Sequence, residues 1–157
     1  MKLPAVFVLL LLILSPSARA EREFMDMAGR IVLLPDKITC AFALDAAANA
    51  FLLNAAPDTA YMPLQEDSFG NIGFKATLKT EFLLPDGVQV LFSASPLLIE
   101  DVHRAEMLSK KSGLPVVCLS SMPMDVPDVY LLLEAIFETD LGTLIEDSLR
   151  IPEKGTE

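Results

Sequence analysis

The chain of 157 residues has one histidine, His103, lying between Glu100 and Glu106. A general base needs a nucleophile or proton donor within reach and a third group to orient it. Spacings of three place both glutamates beside the imidazole on one helix face, away from the apolar stripe of Leu98, Val102, Ala105 and Leu108. That is the pattern of a solvated face. There is no Gly-x-Ser-x-Gly elbow, "FGNIG" at 69–73 lacks the third glycine of a dinucleotide loop, and no His or Cys pair has metal-ligand spacing. The sequence reads as a binding protein rather than an enzyme, with no resident cofactor.

The remaining residues with useful chemistry follow short apolar runs: Asp45, Tyr61, Met62, Ser95, Ser121 and Met122. A phenol can stack on a ligand or coordinate ferric iron, and methionines can line an adaptable apolar cleft. Serine and aspartate can bond a ligand. Each residue also has a plainer use. Tyr61 can close the sheet with its hydroxyl in water, the methionines, with Met124, can fill gaps, and Asp45, Ser95 and Ser121 can cap the helices that follow them.

Four segments are placed to act as strands: "TCAFALD" at 39–45, "TAYMPL" at 59–64, "VQVLFSAS" at 88–95 and "PVVCLSS" at 115–121. None alternates apolar with polar, as expected of strands covered on both faces. Helical patterns separate them at 46–54, 74–84 and 97–112, giving β-α-β-α-β-α-β. Gly113-Leu114-Pro115 ends the third helix and opens the fourth strand, glycine serving the helix end and proline needing no donor. "MDVPDVYLLLEAIFETD" reads as a helix with Val129, Leu132, Leu133, Ile136 and Phe137 inward, and "LGTLIEDSLR" as a shorter one. Ahead of the first strand, "EFMDMAG" and "RIVLLPD" suit a hairpin turning at Ala28-Gly29. In an open parallel sheet the loops after the strand carboxyl ends meet ligand, and the six residues above lie in or beside them.

Residues 1–20 carry an early cation, Lys2, an apolar run from Leu3 to Leu14, and Ala18-Arg19-Ala20, which together fit a cleaved signal peptide. The run is too short to span a membrane, and no later run is longer. Export, with no cysteine after the cleavage site, points to the periplasm and to no membrane insertion after cleavage. The remainder has 10 cations against 22 acids. Such a surface repels nucleic acid and anionic lipid. The 52% hydrophobic content suits one domain, residues 21–150, ahead of a polar tail at 151–157.

Asp26, Gly29-Arg30, Val32, Pro35 and "CAFALD", with "LLPDGVQVLFSAS", "SKKSGLPVVCLS" and "YLLLEAIFETD", resemble in order and spacing the amino-terminal lobe of the periplasmic binding proteins of ABC importers for iron-siderophores, haem and cobalamin. The resemblance covers most of residues 25–150. It implies a Rossmann-like α/β fold, a four-stranded parallel sheet of order 2-1-3-4 flanked by helices and preceded by a short β-hairpin. It also implies a ligand cleft at the strand carboxyl ends, and as partners an ABC permease or a second lobe chain. By that order Cys40 and Cys118 are separated by an intervening strand, about 9.6 Å at 4.8 Å per step, beyond disulfide reach, so both are expected as free thiols. The sequence departs from the family where a permease-docking glutamate is common and Leu78 stands, and at 54–58, Asn-Ala-Ala-Pro-Asp. The alternative is a non-transport periplasmic interaction or remnant domain derived from such a protein.

Overall fold

The computed structural model describes residues 21–61 and 84–150. Strands β1 (Glu21–Met25) and β2 (Ile31–Pro35) form an antiparallel hairpin in which Met25 faces Ile31 and Glu21 faces Pro35. Its period of two sends Val32 and Leu34 into the core and leaves Ile31 and Leu33 outside. The turn uses Gly29 at φ +75°, with nothing within 4 Å of where a Cβ would lie, so backbone conformation rather than space selects glycine there.

Then follow β3 (Ala41–Ala43), α1 (Ala46–Ala55), β4 (Val90–Ser95), α2 (Ile99–Ser112), β5 (Val116–Ser120), a 3-10 turn (Pro123–Asp125), α3 (Val126–Phe137) and α4 (Gly142–Leu149). β3, β4 and β5 form a parallel sheet in that order, with Ala41 beside Val90 and Leu91 beside Val116. Gly113, at φ +71°, closes α2 by donating its N–H to the Ser109 carbonyl.

The expected strand at 59–64 is reduced, among the described residues, to a single parallel bridge between Ala41 and Ala60. Ala41 N–H donates to Thr59 and Tyr61 N–H donates to the Ala41 carbonyl, whereas Cys40 turns its carbonyl the other way to accept from Gln89. The bridge thus lies on the β3 edge away from β4, and residues 62–64 of the expected strand lie outside the described residues. The described sheet therefore has three strands, and the four-strand order 2-1-3-4 is not shown. The signal peptide at 1–20, the helix expected at 74–84 apart from its last residue Leu84, and with it Leu78, as well as Met62 and the tail at 151–157, lie outside the described residues.

The strands are buried on both faces. Val90, Phe92, Val117 and Leu119 join Leu52, Val129, Leu133 and Ile136 in one core, while Leu91, Val116 and Cys118 join Leu44, Ala105 and Leu108 in another. Consequently α1 and α3 cover one face of the sheet and α2 the other. Cys40 and Cys118 are free, with β4 between their strands. Among the described residues no helix is long and apolar enough to cross a membrane.

The hairpin turn closes the outer edge of β5. Asp26, buried at 4% exposure, accepts from the backbone N–H of Ala28, Arg30 and Cys118. It also holds the Arg30 guanidinium at 2.6 Å, which in turn donates to the Val116 carbonyl and to Cys118 Sγ. Met27 N–H donates to the Cys118 carbonyl. An edge strand so covered offers no free ladder to another chain.

Candidate functional site

The helices following β3 and β4 leave the sheet on opposite faces. The gap between β3 and β4 is thus the topological switch point, where open parallel sheets form a crevice. A cavity of about 80 Å³ lies there, lined by Asp45, Ser93, Ala94, Ser95 and Asp101. Larger hollows lie elsewhere. One of about 570 Å³ sits at the carboxyl ends of α1 and α3, lined by Arg22, Ala55, Pro57 and Glu138 among others, hence at the opposite edge of the sheet. Another of about 720 Å³ separates β2 from the end of α2. We assign the site by topology and not by volume, because the small crevice gathers the carboxyl ends of β3 and β4, whereas the two larger hollows do not.

Asp45 caps α1: one oxygen accepts from Ala48 N–H at 2.8 Å, the other from Ala94 N–H at 2.8 Å and from Ser93 Oγ at 3.2 Å. It ties the end of β3 to the end of β4. Burial raises its carboxyl above the ordinary range, outweighing the hydrogen bonds that act to lower it. Ser95 Oγ accepts from Leu97 N–H, and the Ser95 carbonyl accepts from Ser121 N–H. The intervening turn holds Leu97 at φ +60°, a left-handed conformation that costs a non-glycine residue about 1–2 kcal/mol. Leu98 and Ile99 are exposed beyond it, at 61% and 89%.

Of the six sequence-selected residues, Asp45, Ser95, Ser121 and Met122 are thus brought to this edge, Met122 exposed after β5. Tyr61 is not with them. Its ring lies 6.0 Å from that of Phe42, a β3 residue packed against the core on the α2 side, and it is absent from the crevice lining. Two polar residues not selected from sequence are more deeply set. Ser93 bonds Asp45, and Ser120, 1% exposed, donates to the Asp125 carboxylate and accepts from Met122 N–H. A serine inside an otherwise apolar strand was the available signal for both. Leu98, expected within the apolar stripe of α2, instead precedes the helix and points to water, whereas Ala105 and Leu108 are buried as the spacing requires. His103 is exposed on α2. Among the described residues no group of three His, Cys, Asp or Glu side chains is placed to hold a metal ion.

No protein-family model and no curated protein matches the chain. Solved structures do. A periplasmic solute binding protein from Veillonella parvula superposes with a TM-score of 0.54 at 14% identity, covering 82% of this chain and 45% of that one. An ABC transporter solute binding protein from Sulfurospirillum deleyianum gives 0.47 at 13% identity, covering 74% and 42%, and holo-ViuP gives 0.48 at 14%, covering 82% and 47%. The chain therefore shares the fold of part of the Veillonella protein, and it spans about half the length of the proteins it matches.

Proposed function

We propose that the chain is a solute-binding lobe of an ABC importer for iron-siderophore, haem or cobalamin, exported to the periplasm and released there by cleavage after Ala20. The observation that carries this reading is the crevice at the β3–β4 switch point, built from Asp45, Ser93 and Ser95 and rimmed by exposed Leu98, Ile99 and Met122. The Veillonella likeness supports it at the level of fold. Binding needs no chemistry on the solute. The edge supplies one wall of a cleft, so affinity is weak unless a second lobe chain supplies the other.

Isothermal titration with a ferric siderophore, haem and cobalamin tests the reading. We expect saturable binding of at least one, weakened by Ile99→Asp, which places a carboxylate on an exposed rim position without opening the core. Absence of binding to all three would overturn it and favour a periplasmic interaction domain. The mass of the exported protein should begin at Glu21.

A further inference from the structure

We propose that the crevice selects neutral or cationic apolar solutes and excludes polyanionic ones, an inference that rests on the solute-binding reading above. Around the exposed side chains of Leu98, Ile99, Met122 and Met124 stand Glu100 and Asp101 in the first turn of α2, with Asp125 and Asp128 where α3 begins. Asp45 and Asp101 line the cavity itself. Arg104 is the nearest cation among the described residues of α2, and it is held by Glu100 at 3.4 Å and Asp101 at 3.6 Å. Lys110 and Lys111 belong to the last turn of α2, about 15 Å along the helix axis, beyond a screening length of about 8 Å.

The helix amino termini oppose this charge. α1, α2 and α3 each direct about +0.5 of a charge at the same edge, which is one reason that acids are accepted there. Even with Asp45 left out, the four carboxylates outweigh Arg104 and the three dipoles by about one to two charges. An anionic solute on this edge would give up hydration to an apolar rim and meet no unengaged guanidinium or ammonium among the described residues. A neutral or cationic solute would give up less and meet complementary charge.

Three ferric complexes of similar size separate the possibilities: a tricatecholate, which is trianionic, a neutral trihydroxamate, and a trihydroxamate carrying a pendant ammonium. In low salt the cationic complex should bind about tenfold or more tightly than the trianionic one, with the neutral complex between, and added salt should narrow the range. Glu100→Gln with Asp128→Asn removes two exposed charges without touching the core, and should shrink the preference roughly two- to fivefold per charge. Equal or tighter binding of the tricatecholate, or an undiminished preference in the double variant, would overturn the charge selection while leaving solute binding intact. Binding of none of the three would overturn the solute-binding reading, and this inference with it.

Discussion

Asp45 shows how one side chain can serve the fold and set the character of the crevice. Its carboxylate joins α1 to β4, and burial lifts its pKa above the ordinary carboxylate value. The folded chain therefore holds that proton more tightly than the unfolded chain. The associated stability is fully present below the unfolded pKa of about 4 and is lost as pH rises through the higher folded value. Asp45→Asn keeps an acceptor for Ala48 N–H and carries no charge. The stability of the wild type relative to this variant should thus decline as pH rises above about 4, as read from urea unfolding at several pH values. A flat or rising difference would remove the buried charge from the account. Asp45→Ala should cost about 1 kcal/mol for the lost cap and a further 1–3 or so for the unsatisfied Ala94 N–H. Cys118 is the second titratable group moved by burial, its thiol pushed up to about 12 with Asp26 adding to the effect and Arg30 opposing it. The native protein should leave Cys118 unmodified by iodoacetamide at neutral pH, and denaturant should expose two alkylatable thiols without reduction.

Among the elements, the hairpin depends most on distant residues. Local sequence made it legible: the period of two, and a glycine between the runs. What the spacing did not reveal is that Asp26 and Arg30 grip β5, because their partners Val116 and Cys118 lie more than eighty residues away in the chain. The bridge of Ala60 to Ala41 has the same character, since β propensity at Thr59–Tyr61 does not name the strand it pairs with. The crevice was legible as a set of loops, through the strand-helix alternation. Ser95 lines it together with Ser93, two residues earlier, because the strand ends are set by partners and not by the last apolar residue. Arg30→Ala should leave Asp26 buried without its guanidinium, costing about 3–5 kcal/mol, and Arg30→Lys should recover only part of this because an ammonium cannot span both contacts. Gly29→Ala should cost about 1–2 kcal/mol from the left-handed backbone alone. Both losses should appear with faster hydrogen exchange at Cys118 N–H, whose acceptor is the Asp26 carboxylate. Unchanged exchange in Arg30→Ala would mean that β5 holds its edge without the hairpin.

At the scale of the whole molecule, the parallel sheet has a core on each face, and β4 belongs to both. Val90 and Phe92 pack toward α1 and α3, and Leu91 packs toward α2. Neither helical layer can leave without stripping the strand that the other needs, so the two cores should unfold as one cooperative unit. Leu133, fully buried on the α3 side, and Leu108, 2% exposed on the α2 side, test this from opposite faces. Each Leu→Ala change should cost about 2–5 kcal/mol by transfer and cavity terms. Their partners do not overlap across the sheet, so the double variant should lose the sum of the two to within about 0.5 kcal/mol. Far-ultraviolet circular dichroism follows the entire fold, while fluorescence of Tyr130, buried beside Leu133, weights the α3 side. Coincident urea transitions by both probes, displaced together in either variant with an unchanged slope, are the expected result. Separation of the two signals, with Leu133→Ala moving fluorescence alone, would show that the faces are independent. The crevice, whose walls come from β3, β4 and the start of α2, would then be held by one face only.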